Sequence, residues 1–179
     1  VDDPVLSGPV QNQDSYMQSV AAQRPYFFDH VQGITEEAFE KFYALTGRRY
    51  ERVMGYRTED ADYLIVGQGS LIPTAEAVAD WMREERGIKV GVVNIVMFRP
   101  FPGDLLSKYL KGRKGVAVLE RTDQPLAADL PLMREIRATL SKSLENGRSK
   151  NGLPYPDLDS YQNLKDLPEL YSGSFGMGS

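Results

Sequence analysis

Cysteine is absent from the 179 residues and histidine occurs once, as His30. Without a thiol the chain forms no disulfide and offers no thiolate to zinc or to an iron–sulfur cluster. The histidine lies in the aromatic stretch Tyr26-Phe27-Phe28-Asp29-His30. A general base needs a nucleophile or a substrate proton within reach, and no such partner is visible, so a packed or solvated loop residue is the expectation. Charge of one sign is also missing: 21 basic residues stand against 25 acidic ones, interspersed along the chain. That balance gives no extended cationic face for a phosphate backbone and disfavours a nucleic-acid partner. No run approaches the roughly 20 apolar residues that a bilayer-spanning helix needs, and the opening Val1-Asp2-Asp3-Pro4 does not read as a signal peptide. The expectation is a soluble module without a membrane partner, lacking the usual equipment of a self-sufficient enzyme.

What is present is organised around residues 62–100. Tyr63-Leu64-Ile65-Val66 is a short apolar strand that ends in Gly67-Gln68-Gly69-Ser70, where glycine permits a tight turn. A helix comes next, with Pro73 in its first turn, Ala75, Val78, Ala79 and Met82 at helical spacing, and Gly87 as its stop. The next run, Lys89 to Met97, is almost continuously apolar, as suits a strand covered on both faces of a parallel sheet. The whole reads as a right-handed βαβ unit. A dinucleotide fingerprint would carry a third glycine where Ile72 stands, and an acid at the tip of the following strand, where Phe98-Arg99-Pro100-Phe101 stands instead. The glycine turn is therefore read as topological, with a nucleotide site as the alternative.

Residues 1–33 carry Pro4, Pro9, Pro25, Gly8 and Gly33 without a sustained period, and read as an extended connector. Tyr16, Met17, Tyr26, Phe27 and Phe28 make it more apolar than a solvated linker tolerates, so it is expected to lie on another surface. Thr35 reads as the cap of a helix that runs to Ala44 or Leu45, with Ala38, Phe39, Phe42 and Leu45 on one face. Alternation over Tyr50–Tyr56 predicts an edge strand. A helix through Leu105, Leu106, Tyr109 and Leu110, a third buried strand at Gly115–Leu119, and a helix over Leu130–Leu144 complete the core. Residues 146–159 read as a surface loop and the tail from Tyr171 as having no partner downstream. The fold class is α/β in three layers: a mostly parallel five-stranded sheet with helices on both faces.

Five segments in order resemble the pyruvate:ferredoxin (flavodoxin) oxidoreductase family of thiamine-diphosphate-dependent 2-oxoacid oxidoreductases. They are Pro4 to Tyr16, Leu45-Thr46-Gly47-Arg48-Arg49-Tyr50, Arg99-Pro100-Phe101, Leu119-Glu120-Arg121-Thr122-Asp123-Gln124-Pro125 and Gly173 to Ser179. Glu120 and Gln124 depart from the family's usual aspartate and glutamate, and residues 148–163 look like an added loop. The resemblance implies the second domain of a longer cytoplasmic enzyme, of the transketolase C-terminal type. Residues 1–34 would be the connector from a preceding pyrimidine-binding domain and 35–179 the domain itself, at or near its end. It implies a parent that oxidatively decarboxylates a 2-oxoacid, pyruvate foremost, to acyl-CoA and hands electrons to ferredoxin or flavodoxin. Thiamine diphosphate with Mg, the iron–sulfur clusters and coenzyme A would be held by other domains, leaving this one inactive alone.

Within such a domain no residue is expected to be catalytic or to hold cofactor or metal. In an open parallel sheet the carboxyl ends of the strands lie along one edge, where ligands and partners are met. Gly67–Ser70, Phe98–Phe101 and Glu120–Thr122 arrive there. The interface candidates are Arg99, Phe101, Glu120, Arg121 and Thr122 at that edge, and Tyr16, Phe27 and Phe28 in the arm. Partners are other domains or subunits of the parent, with a homodimer open. Two other readings remain at this point: a free-standing Rossmann-like nucleotide-binding protein, and an interaction adaptor gripping its partner with the aromatic arm.

Overall fold

A computed structural model describes residues 12–178. Residues 1–11, which hold the first part of the family resemblance and the Pro4, Gly8 and Pro9 of the expected connector, lie outside the described residues. The chain divides into two units between Arg49 and Tyr50.

The first unit is helical where an extended connector is expected. Helix α1 (Gln13–Gln23) passes through a π-helical turn (Arg24–Phe28) into α2 (Asp29–Thr46). Pro25 explains the wide turn, because its ring crowds the preceding carbonyl and it has no N–H to donate, a conflict that an i→i+5 loop accommodates. Proline and Gly33 therefore mark an irregularity in a continuous helix, not a linker. Thr35 lies inside α2, with Oγ1 donating to the Val31 carbonyl at 2.7 Å, and is not its cap. The helix ends at Gly47, whose left-handed conformation closes the last turn on the Tyr43 carbonyl. Arg49 folds back on this end: its guanidinium lies 4.3 Å from the Tyr43 ring centroid and bonds the Glu40 carboxylate at 3.1 Å.

The second unit is the α/β domain. Its strands are β1 (Val53–Tyr56), β2 (Tyr63–Gly67), β3 (Val90–Ile95), β4 (Gly115–Glu120) and β5 (Glu169–Ser174). They form one sheet in the order β1-β3-β2-β4-β5, parallel except for the edge strand β1, which runs antiparallel to β3. The order reverses direction at β2, as in doubly wound sheets. Helices α3 (Ile72–Arg86), α4 (Gly103–Leu110) and α5 (Pro131–Arg148) connect the strands. Leu106 and Leu110 of α4 and Leu132, Met133, Ile136 and Leu140 of α5 pack on Leu64, Val66, Val93, Ile95, Val116 and Val118, the main core on one face. On the other face Ile72, Ala75 and Ala79 of α3 cover Val90 and Val92 in a smaller cluster. Alternation along each strand assigns these residues to opposite faces.

Two segments differ from expectation. The tail, for which the sequence offers no partner downstream, pairs upstream: it supplies β5, which lies parallel to β4 from Glu169 to Ser174. Helix α5 continues to Arg148, and the loop beyond it turns back onto the core. Asn146 donates to the carbonyls of Tyr155 and Leu158 at 2.7 and 3.0 Å and accepts from the Tyr155 N–H. Tyr161 is fully buried, its hydroxyl donating to the Ser107 carbonyl at 2.6 Å. The backbone passes so close that a Cβ on Gly147 would stand 1.8 Å from the Tyr161 carbonyl oxygen, so the helix needs glycine there.

Candidate docking site at the carboxyl edge of the sheet

Three strand ends converge as the sequence anticipates. After β2 the chain makes a short 3-10 turn, Gly69–Leu71, before α3. After β3 it turns through Phe98 and the cis Arg99–Pro100 peptide. After β4 it leaves along Arg121 and Thr122. Between them lies a cleft of about 480 Å³, lined by Gln68, Ser70, Phe98, Arg121, Thr122, Pro131 and Phe175 among others. Phe175 lies just past β5, a strand that the sequence pattern does not announce. Leu170, which packs against the main core between Glu169 and the exposed Tyr171, is the one signal that could have located it.

Glu120 has an inward task. It is buried, and its carboxylate accepts the Leu132 N–H at 2.6 Å and the Met133 N–H at 3.2 Å. Leu130, the residue before α5, makes no side-chain cap. The acid supplied from β4 thus satisfies two of the orphan donors of the first turn and stands at the positive end of the helix dipole.

Further side chains brace the edge against α5. Arg99 pairs with Glu135 at 2.7 Å and lies 4.2 Å from the Phe98 ring centroid. Arg134 donates to Gln124 at 3.0 Å, and Arg137 meets Asp129 at 2.7 Å. Arg121 reaches the other way, its Nε 3.4 Å from the Gly176 carbonyl. Among the described residues neither Arg99 nor Arg121 pairs with Glu120. Phe101 is half-buried, edge-on to Phe98 with centroids 5.9 Å apart, and packs against the main core. Thr122 is half-buried on the cleft wall. Leu126, in the loop after β4, is fully exposed. The arm candidates Tyr16, Phe27 and Phe28 are exposed on α1 and the π-helical turn, away from any strand end in the sequence.

Arg52 and Asp104 hold the opposite side of the β3 turn. The guanidinium forks onto the carboxylate with bonds of 3.0 and 2.7 Å. Burial by itself pushes the Asp104 carboxyl up, but the bonds and charge of Arg52 outweigh it and hold the group below its ordinary value. The pair ties the approach to β1 to the first turn of α4.

An open, mostly parallel five-stranded sheet with one antiparallel edge strand and helices on both faces is the architecture of a transketolase C-terminal-type domain. The model of the pyruvate:ferredoxin oxidoreductase core domain II matches residues 61–152, and the chain belongs to that family. It is 34% identical, over 98% of its length, to a probable pyruvate-flavodoxin oxidoreductase of Escherichia coli (strain K12). It is 38% identical over 76% of its length to pyruvate synthase subunit PorA of Thermotoga maritima. Against pyruvate:ferredoxin oxidoreductase of Moorella thermoacetica the figures are 33% and 80%. The chain spans only 14%, 34% and 12% of the lengths of these three relatives.

The sequence holds no cysteine for an iron–sulfur cluster, and among the described residues no three His, Asp or Glu side chains gather as metal ligands. For a diphosphate the candidate is the Gly67–Ser70 turn. A Cβ on Gly67 would stand 2.6 Å from Leu71 Cδ2 and 3.2 Å from the Leu119 carbonyl oxygen. The space of its missing side chain is therefore filled by the domain's own packing, whereas at Gly69 the place of a Cβ is open.

Proposed function

We propose that this domain is a non-catalytic docking piece of a longer enzyme that oxidatively decarboxylates a 2-oxoacid, pyruvate first, to acyl-CoA and passes the electrons to ferredoxin or flavodoxin. The cofactors of that reaction belong to its other domains or subunits. The observation that carries the reading is the edge itself: Arg121 stands exposed on the wall of a cleft and Leu126 is fully exposed in the loop that follows it, while Glu120, Arg99, Arg134 and Arg137 act inward to stiffen the edge. A stiff support for outward cationic and apolar groups suits an interface, where a guanidinium donates to carboxylates or carbonyls across the gap and an exposed leucine fills a pocket. The names of the relatives supply the reaction class, and the share of their length that the chain covers supports a role within a larger assembly.

The test is Arg121→Ala and Leu126→Asp in the full-length enzyme that carries the domain. Each is expected to lower turnover or assembly about tenfold, equivalent to about 1.4 kcal/mol, while the melting of the isolated domain is unchanged. Two variants that assemble and turn over like the parent would show the edge to be a loop brace only.

A further inference from the structure

The two lateral edges of the sheet are built differently. Edge strand β1 is four residues long and stands between two exposed charges, Glu51 before it and Arg57 after it. Short length and flanking charge are the usual means of keeping an open edge from pairing. Edge strand β5 is six residues long, as long as β3 and β4, and holds neither proline nor a basic residue. Its one charge is Glu169, at its start, and Ser172-Gly173-Ser174 at its other end offers little bulk against a neighbouring backbone.

Two hydrogen bonds fix the direction of its backbone groups. The Glu169 N–H donates to the Lys114 carbonyl at 3.2 Å, and the Phe175 N–H to the Glu120 carbonyl at 3.1 Å. Because these groups alternate sides along a strand, Tyr171 and Gly173 also turn theirs toward β4. The N–H and C=O groups of Leu170, Ser172 and Ser174 then point out of the sheet, in a row at intervals of about 6.6 Å. Among the described residues no strand lies on that side, and Ser172 and Ser174 are exposed.

We infer that this row receives an extended segment from another domain or subunit of the larger enzyme, which joins the five-stranded sheet as a further strand beside β5. The inference rests on the reading of the chain as one domain of a longer assembly, and adds to its carboxyl edge a second, lateral contact. The chain spans 14% and 12% of the lengths of the Escherichia coli and Moorella relatives, so most of each relative lies outside the matched region. A helix laid along the edge would not serve, because its own backbone bonds are internal and leave the outward row unpaired.

The side chains of β5 state what the segment carries. Tyr171 and Tyr63 both stand near the place of a Cβ on Gly115, and Leu119 beside that of Gly173, so this face of the edge is apolar. On the other face Leu170 packs on the main core, and Ser172 and Ser174 continue the row. A matching strand sets apolar side chains beside Tyr171 and Gly173, small or polar ones beside Ser172 and Ser174, and a lysine or arginine opposite Glu169.

Hydrogen exchange of the full-length enzyme, read amide by amide, should show Leu170, Ser172 and Ser174 protected at least about 100-fold relative to an unstructured chain. Exchange at the unstructured rate overturns the inference. Ser172→Pro removes one outward donor, a change that an edge strand tolerates, and should lower assembly or turnover about tenfold. Ser172→Ala keeps the donor and should lose at least about fivefold less. Equal losses would place the effect in the side chain and overturn strand addition. A photoreactive benzophenone carried at position 171 should cross-link to an extended segment outside this unit. Cross-links to a helix, to β5 of a second copy or within the unit alone count against the inference in the same way. Unprotected β5 amides in an enzyme that Arg121→Ala impairs would leave the carboxyl-edge reading standing and remove this one. Protected amides in an enzyme indifferent to Arg121→Ala would do the reverse.

Discussion

The Glu120 carboxylate, at the end of β4, accepts the Leu132 N–H at 2.6 Å across a ten-residue loop and so starts helix α5 from a distance. A cap within one turn is ordinary, but here strand, loop and helix are fixed by one buried side chain. Glu120→Ala leaves two helix donors without their acceptor and is expected to cost about 2 kcal/mol. Glu120→Gln, with one carbonyl oxygen, and the shorter Glu120→Asp should fall between. Urea denaturation of the three variants checks this; an alanine variant as stable as the parent would show that Glu120 does not hold the edge.

The Arg52–Asp104 fork predicts acid sensitivity. Because the folded carboxyl is held below its ordinary value of about 3.9, the unfolded chain binds the proton more readily. The contribution is complete above that ordinary value and is lost as pH falls through the folded one. With allowance for the water on the Asp104 side, Asp104→Asn is expected to cost about 1–2 kcal/mol at pH 7. The gap to the parent should close below about pH 4. A gap that persists undiminished well below about pH 4 would refute the assignment.

The sheet was legible in the sequence because apolar runs such as Tyr63–Val66 and Val90–Ile95 are long and bounded by glycine turns. The carboxyl edge was legible for the same reason, since Phe98–Phe101 and Glu120–Thr122 stand at the ends of such runs. Two kinds of feature were not. Pro25 and Gly33 carry the local signal of a linker, and only the apolar stripe around them, Val31 with Ile34 and Ala38, argues for the helix that forms. The inward role of Glu120 depends on Leu132, twelve residues away, and β5 on an edge strand whose alternation is diluted by Ser172, Gly173 and Ser174. Contacts between segments distant in sequence decide such cases, and no local period reports them.

Tyr161 and Gly147 predict that the loop beyond α5 is part of the core. Tyr161→Phe leaves the Ser107 carbonyl without its donor and is expected to cost about 1–2 kcal/mol. Gly147→Ala forces backbone away from the Tyr161 carbonyl and should cost about 3 kcal/mol or more. Burial, with Asp159 and Asp166 nearby, also pushes the Tyr161 hydroxyl above the usual phenol range. Its contribution is intact below the unfolded value near 10 and is lost as pH rises through the higher folded one. Stability of the parent should therefore decline above about pH 10, and less steeply in Tyr161→Phe. Equal alkaline slopes would show that the phenol is not the group responsible.

The last prediction separates a packing turn from a phosphate turn at Gly67–Ser70. If Gly67 is required by Leu71 and the Leu119 carbonyl, Gly67→Ala must displace one of them and should destabilise the domain by about 2 kcal/mol. Gly69 has φ of +68° with open space where a Cβ would stand, so Gly69→Ala carries only the left-handed backbone penalty, about 1 kcal/mol. A phosphate cradle would invert the emphasis: the exposed Gly69 would matter for ligand, and ligand would raise the melting temperature in proportion to its occupancy. Calorimetric titration of the domain with NAD, thiamine diphosphate and coenzyme A is expected to show no binding at micromolar affinity, where the free energy would be about −8 kcal/mol. Micromolar binding of any of the three, abolished by Gly69→Ala, would return the turn to ligand recognition and overturn its reading as an element of packing.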